Sequence, residues 1–126
     1  MGFRAKAWVR ALRPAQWIKN GVVPAAYFFA WRDPSQSAHV QGWMPLLSEA
    51  VAVACFCSVS SGVYLLNDLR DMAADRAHPL KRLRPLAAGE ISVPAALAAA
   101  ALLVLAGAGG SLALPAAFTG VLAGYF

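Results

Sequence analysis

Four polar residues that follow directly on a long apolar run have the types and spacing of a metal site: Asn67, Asp68, Asp71 and Asp75. On a helix that continues to about residue 76, the three aspartates lie within roughly 60° of one face, and Asn67 widens that arc to about 100°. Carboxylate and carboxamide oxygens are hard ligands of the kind that Mg²⁺ or Mn²⁺ prefers. The spacing therefore predicts a site in which a divalent cation holds a diphosphate group.

A basic run lies shortly after the acidic residues and contains Lys81, Arg82 and Arg84. His78 and Pro79 predict the end of the helix, because the residue before a proline is pushed out of the α region. The basic run then lies on a loop that is free to fold back over the acids. Arginine binds phosphate oxygens through paired N–H donors and lysine adds a point charge, so these residues are candidate phosphate contacts. The alternative is a solvated loop whose charges only set the orientation of the chain in a membrane.

The elements that must position these residues are apolar helices. Residues 50–67 and 91–126 contain no Asp, Glu, Lys or Arg, and a soluble domain of 126 residues is too small to bury so much apolar surface. The sequence therefore predicts an all-α, multi-pass transmembrane helical bundle, with residues 1–126 as one unit. The predicted helices and the polar loop cover about residues 14–31, 45–76, 94–108 and 115–126, and about residues 77–92.

The distribution of positive charge predicts the topology. The net charge is +5, with five basic residues and no acid in residues 1–20, five more basic residues in 68–92, and one of each sign in residues 32–44. Two crossings separate the basic segments, so both lie on the same side, and the positive-inside rule makes that side cytoplasmic. The predicted partner is therefore the lipid bilayer of the plasma (inner) membrane and not nucleic acid.

The two ends of the sequence give further expectations. The last apolar segment, from about residue 115, is too short to span a bilayer, so we expect the sequence to be the N-terminal part of a longer protein. A cleaved signal peptide is an alternative for the basic N-terminus, but residues 28–34, FFAWRDP, offer no small-residue cleavage site.

Two motifs resemble those of a known family. NDLRDMAADRAHPLKRLRPLAAG, residues 67–89, resembles the first aspartate-rich motif of the UbiA superfamily of intramembrane prenyltransferases. LRPAQWIKN, residues 12–20, is similar to the opening motif of the decaprenyl-phosphate phosphoribosyltransferase branch. The resemblance implies a bundle of about nine transmembrane helices around a central cavity, of which this chain supplies the first four. It also implies a second aspartate-rich motif in a later half, which a complete site needs and which residues 1–126 lack.

The resemblance implies a role for each candidate residue. The catalytic residues are the ligands of Mg²⁺, which binds the diphosphate, and they are Asp68, Asp71 and Asp75. The substrate-binding residues are Asn67, Lys81, Arg82, Arg84, Lys19 and Asn20. The alternative for Lys19 is an ordinary interfacial position with its ammonium group at the membrane surface.

The activity that the resemblance implies is the Mg²⁺-dependent transfer of 5-phosphoribosyl from phosphoribosyl pyrophosphate to decaprenyl, or another polyprenyl, phosphate. The product feeds arabinan synthesis in the cell wall. We expect the chain alone to be inactive, because half of the site is missing. Two alternatives stay open. One is a prenyltransferase of the same superfamily that moves a polyprenyl group from its diphosphate to an aromatic or haem acceptor, and the other is a non-catalytic small membrane protein.

Overall fold

The chain folds entirely into helices, turns and loops. The computed structural model describes residues 2–124, with the side chains of residues 5–124, and that range contains no strand. The all-α fold expected from the sequence is confirmed. The α-helices are α1 (Gly2–Leu12), α2 (Val22–Arg32), α3 (Ser37–Val40), α4 (Trp43–Arg70), α5 (Met72–Ala77), α6 (Val93–Ser111) and α7 (Ala116–Ala123). The 3₁₀ helices are Pro14–Gly21 and Lys81–Leu83. The predicted end of the last helix, at residue 126, lies outside the described residues.

Two helices within residues 2–124, α4 and α6, are long and apolar enough to cross a membrane. Helix α4 has 28 residues, which corresponds to roughly 42 Å along its axis. Helix α6 has 19 residues and continues to Ser111, beyond the predicted end at residue 108. The glycines near its end therefore do not stop the helix, and one of them, Gly107, is buried against α4.

Helices α4 and α6 form the central pair, and glycines allow their close approach. A Cβ atom on Gly107 would lie 2.5 Å from Val59 Cγ2 and 2.9 Å from the carbonyl oxygen of Cys55. A Cβ atom on Gly62, in α4, would lie 2.8 Å from Val104 Cγ2. Small residues at such contacts let helix backbones approach and pack by van der Waals contact, the main force between helices in lipid.

The first predicted crossing is not one α-helix. Residues 14–31 divide into the 3₁₀ helix Pro14–Gly21 and helix α2, and the change occurs at Gly21. Glycine and proline have the lowest helix propensities. Proline is nevertheless tolerated at the first position of a helix, because an N–H group there would have no acceptor within the helix. The prediction of a single α-helix from residue 14 is therefore wrong in helix type, although the segment is helical throughout.

Helix α1 lies at the same end of α4 as the aspartates. Its buried alanines, Ala7 and Ala11, pack in one core cluster with Leu65 of α4 and with Leu86 and Ile91, which lie between the 3₁₀ turn and α6. The charge pattern alone predicts only a basic segment here, and the helix is a finding of the structure. The contact brings the two basic segments to one end of the molecule, as the charge pattern predicts.

The helical segment that carries the aspartates is interrupted at Asp71. Helix α4 ends at Arg70, Asp71 has φ −88° and ψ 0°, and α5 begins at Met72. Helical hydrogen bonding continues across this interruption, from Asp71 N to Asn67 O at 2.9 Å and from Asp75 N to Asp71 O at 2.8 Å. The single helix predicted over residues 45–76 is thus two helices in close succession.

Candidate functional site

Arg84 joins two of the three aspartates predicted to bind metal. Asp68 in α4 and Asp75 in α5 are buried, with 3% and 2% of their surface exposed. Nη1 of Arg84 donates hydrogen bonds to Asp68 Oδ1 at 3.2 Å and to Asp75 Oδ2 at 2.7 Å. Arg84 follows the 3₁₀ turn Lys81–Leu83, so the loop folds back over the acidic residues as expected from the sequence.

A second arginine reaches Asp68 from the N-terminal segment. Nη2 of Arg13 donates a hydrogen bond to Asp68 Oδ1, the same atom that Arg84 contacts, and its guanidinium lies 5.0 Å from the centroid of the Tyr64 ring. Arg13 has φ 51° and ψ 54°, and within residues 2–124 no other non-glycine residue has a positive φ. This left-handed conformation costs about 1–2 kcal/mol for an L-residue. The charge-assisted hydrogen bond and the cation–π contact offset that cost.

A cavity of about 390 Å³, which we call the acidic cavity, lies beside this pair of arginines. Its acceptor groups come from Asn67, Asp68 and Asp71. Its other lining residues are Arg13, Arg70, Arg84 and Tyr64. The cavity therefore combines oxygen ligands suited to a hard cation with guanidinium groups suited to phosphate.

The three aspartates do not come together in one cluster. In the part of the chain that the structure describes, no group of three or more His, Cys, Asp or Glu side chains is placed to hold a metal ion. Asp75 does not line the acidic cavity, and its carboxylate is bonded to Arg84 instead. The three carboxylates predicted on one helix face therefore do not form one cluster: Asp68 and Asp75 share Nη1 of Arg84, whereas Asp71 is exposed.

The ligand oxygens that remain available in the acidic cavity fit a divalent cation. Among the described residues, no hydrogen bond ends on Asp68 Oδ2 or on the side chain of Asp71, which is exposed. Mg²⁺ typically uses one or two carboxylates and keeps its other positions for water or substrate phosphate. Asp68, Asp71 and Asn67 supply such a set, with arginines nearby for the phosphate oxygens.

The acidic cavity is not lined by the other candidate substrate-binding residues, which are Lys19, Asn20, Lys81 and Arg82. Asn20 is buried, and its Nδ2 lies 3.4 Å from both Cys57 Sγ and Ser60 Oγ. Ser60 precedes Asp68 by eight residues on α4, about 12 Å along the axis. Lys19 is exposed, which fits the interfacial alternative, and Lys81 and Arg82 are exposed on their 3₁₀ turn.

A short hydrogen-bond chain fixes the segment that carries Arg13. The indole N–H of Trp17 donates to Ser61 Oγ at 2.9 Å, and the Ser61 hydroxyl donates to the carbonyl oxygen of Leu12, also at 2.9 Å. This carbonyl belongs to the last turn of α1, where backbone acceptors lack helical partners. Ser61 of α4 thus contacts the chain on both sides of Arg13, at Leu12 and at Trp17.

The profile of the UbiA prenyltransferase family matches residues 22–126. This chain belongs to the UbiA prenyltransferase family. No solved structure gives a significant match.

Named relatives of this UbiA-family chain include two transferases. It is 41% identical over 100 residues to the decaprenyl-phosphate phosphoribosyltransferase of Corynebacterium glutamicum, which covers 79% of this chain and 29% of that protein. It is 42% identical over 98 residues to the enzyme of the same name from Mycolicibacterium smegmatis, with 78% and 30% covered. It is also 40% identical over 87 residues to the nodulation protein NoeC of Azorhizobium caulinodans, with 68% and 25% covered. The chain thus spans less than a third of the length of these relatives.

Sequence reasoning missed Arg13 as a site residue of this UbiA-family chain. Arg13 lies within the LRPAQWIKN motif, but our prediction from that motif took only its last two residues as site residues. The available signal was a basic residue directly before Pro14, at the start of an apolar segment. Its partner is 55 positions away, and no local pattern predicts such a contact.

Proposed function

We propose that this chain supplies one half of the active site of a Mg²⁺-dependent enzyme that transfers 5-phosphoribosyl from phosphoribosyl pyrophosphate to a polyprenyl phosphate. The observation that carries the proposal is the acidic cavity, in which Asn67, Asp68 and Asp71 meet Arg13 and Arg84. The names of the corynebacterial and mycolicibacterial relatives support the choice of donor and acceptor. Decaprenyl phosphate is the proposed acceptor, and the product would supply cell-wall arabinan synthesis.

The chemistry requires one bond to break and one to form at the anomeric carbon. An oxygen of the polyprenyl phosphate bonds to that carbon as its bond to the diphosphate oxygen breaks, and pyrophosphate leaves with the electron pair. Mg²⁺ or Mn²⁺, when bound, would neutralise charge on the departing pyrophosphate. Asp68, Asp71 and Asn67 would hold this cation, and Arg13 and Arg84 would donate hydrogen bonds to phosphate oxygens.

Asp75 has a different part in this proposal. Its carboxylate holds Arg84 at 2.7 Å, and Arg84 in turn contacts Asp68. Asp75 therefore positions the guanidinium group that faces the acidic cavity. As a metal ligand it stays a prediction, as do Lys81 and Arg82 as phosphate contacts.

We also propose the cellular setting. The basic N-terminal segment and the loop that carries Arg84 lie at one end of the molecule, and we assign that end to the cytoplasmic side of the plasma membrane. Both substrates would meet there, since the polyprenyl chain lies in the bilayer while phosphoribosyl pyrophosphate comes from water. The bundle that the relatives' length implies would complete the site, and residues 1–126 alone would be inactive.

The test is donor specificity in the natural polypeptide that contains this chain. We expect Mg²⁺-dependent release of pyrophosphate when phosphoribosyl pyrophosphate and decaprenyl phosphate are both present, and loss of about 100-fold or more in kcat/KM for Asp71→Asn. Consumption of a prenyl diphosphate with an aromatic or haem acceptor instead would favour the prenyltransferase alternative. Equal Mg²⁺-dependent donor binding by wild type, Asp68→Asn and Asp71→Asn would count against these aspartates as the metal ligands. An unchanged phenotype in both variants would favour a non-catalytic membrane protein.

A further inference from the structure

A buried serine of α4, Ser61, is bonded to the chain on both sides of Arg13. Ser61 has 1% of its surface exposed. Its hydroxyl accepts a hydrogen bond from the indole N–H of Trp17 and donates one to the carbonyl oxygen of Leu12, each at 2.9 Å. A hydroxyl has one proton to donate, and in Ser61 this proton is used on the backbone of Leu12. Because the site is buried, loss of the hydroxyl leaves polar groups there without a partner.

The two peptide groups that flank the Cα atom of Arg13 are both held by hydrogen bonds. The carbonyl of Leu12 belongs to the peptide group before this atom and accepts from Ser61. The carbonyl of Arg13 belongs to the peptide group after it and accepts from the backbone N–H of Gln16 at 2.8 Å. Since φ and ψ describe the rotation of these two peptide groups about the Cα atom, the two bonds together restrain the backbone of Arg13.

This restraint matters because the backbone conformation of Arg13 is unfavourable by itself. Arg13 has φ 51° and ψ 54°, the left-handed region, which costs conformational energy for an L-residue. It also precedes Pro14, and a residue before proline favours an extended backbone. A change to the extended conformation would redirect the side chain. The bond from Ser61 to Leu12 therefore opposes a change that would withdraw the guanidinium group from the acidic cavity.

Ser61 and the carboxylate that Arg13 contacts lie on the same face of α4. Asp68 follows Ser61 by seven residues within the continuous helix Trp43–Arg70, which corresponds to about two turns and roughly 10 Å along the axis. One helix therefore supplies both the contact to the backbone beside Arg13 and the acceptor for its guanidinium group. The helix fixes the separation of these two points.

We infer that Ser61 is a positioning residue, which orients Arg13 at the acidic cavity through the backbone of Leu12. Trp17 contributes by donating to Ser61 Oγ, because this bond leaves the hydroxyl proton directed at Leu12. The assignment rests on the proposed function only for the role of Arg13, which would donate hydrogen bonds to phosphate oxygens.

The first test measures the reactivity of Arg13 towards phenylglyoxal by mass spectrometry, in the natural polypeptide that contains this chain and without substrate. We expect Ser61→Ala to raise the modification rate of Arg13 about five-fold, the effect of losing one hydrogen bond of ordinary strength. The matched control is Ser58→Ala on the same helix. Ser58 donates to the carbonyl oxygen of Leu103 in α6 at 2.8 Å, so this variant also loses a bond between helices but should leave the rate at Arg13 unchanged.

An unchanged rate at Arg13 in folded Ser61→Ala, or an equal rise in Ser58→Ala, would overturn the assignment. If Ser61→Ala does not fold, Trp17→Phe decides. This variant keeps an aromatic ring at a position that is 39% exposed and removes the indole N–H, so that the Ser61 hydroxyl is free to turn away from Leu12. We expect a rise of about two-fold in the modification of Arg13, and a rate equal to that of the wild type would be the contrary result.

Kinetics connect Ser61 to the proposed reaction. With phosphoribosyl pyrophosphate and decaprenyl phosphate as substrates, Ser61→Ala should lower kcat/KM for pyrophosphate release about five-fold, and it should have no further effect in an Arg13→Gln background. A contact that serves stability alone would lower kcat/KM by the same factor in both backgrounds, which would overturn the assignment. If the wild type transfers nothing from phosphoribosyl pyrophosphate, the proposed function fails, while the modification of Arg13 still decides the role of Ser61.

Discussion

At the scale of residues, the aspartates of this chain fall into two kinds. Asp68 and Asp75 are buried and paired with arginine, whereas Asp71, between α4 and α5, is exposed. Asp68 also faces the acidic cavity, so it serves both the ion pairs and the candidate metal site. Stability and cation binding should therefore respond differently to changes at these three residues.

We expect Asp75→Asn to lower the free energy of unfolding by about 2 kcal/mol, because it removes the charged acceptor of a short, mostly buried hydrogen bond from Arg84. Asp71→Asn, the matched control, should change stability by less than about 0.5 kcal/mol, since its side chain is exposed. Unfolding by SDS in mixed micelles measures both, and Mg²⁺ titration should show the larger loss for Asp71→Asn. Equal stability of the two variants would contradict the structural role of Asp75.

The residues of the site were only partly predictable from sequence. Asn67, Asp68 and Asp71 lie at helical spacing at the end of an apolar segment. Helix periodicity alone predicts that they share one side, and all three line the acidic cavity. Arg13 was not predictable, because a residue before proline normally adopts an extended conformation and Arg13 is left-handed instead. The contact with Asp68 that stabilises this conformation depends on tertiary packing.

At the scale of elements, the length of the uncharged apolar segments was the best predictor of the helices. Helices α4 and α6 lie where uncharged runs predict them, because a long apolar segment leaves few alternatives to a membrane helix. Helix α1 was missed, since its apolar positions alternate with basic residues and only its packing on Leu65 and Leu86 shows which face is buried. The 3₁₀ geometry of residues 14–21 was missed as well, because propensity alone does not distinguish it from a short α-helix.

The contact between α4 and α6 gives a prediction for a pair of glycines only two residues apart. Gly107→Ala should cost about 1–3 kcal/mol in the free energy of unfolding, because the new methyl group overlaps Val59 and the backbone oxygen of Cys55. Gly109→Ala has no atom within 4 Å of the new Cβ and should be neutral or stabilising by up to about 1 kcal/mol. Thermal unfolding in detergent measures both, and equal midpoints would contradict the packing described.

At the scale of the whole molecule, the polar groups that bear on function concentrate at one end. Arg10 in α1 is bonded to Glu90 just before α6, and Arg13 and Arg84 meet at Asp68. The opposite end carries the segment between α2 and α4, and the long α4 separates the two by roughly 42 Å. Large apolar side chains such as Phe29 and Leu102 are exposed between these ends, as expected for contact with lipid or further helices.

We expect the two ends to lie on opposite sides of the plasma membrane. In a background with Cys55→Ala and Cys57→Ser, a membrane-impermeant maleimide applied to intact cells should label Gln36→Cys and not His78→Cys. Permeabilised cells should show both labelled. The reason is the basic charge near His78, which the positive-inside rule assigns to the cytoplasm. Labelling of His78→Cys in intact cells would reverse the orientation.

The interruption at Asp71 places two buried acids on consecutive helices. Asp68 lies in α4 and Asp75 lies in α5, and the one Nη1 atom of Arg84 bonds to both. Separation of these two side chains would break at least one of the two bonds. An anion that recruits Arg84 must therefore compete with carboxylates that already occupy its N–H donors.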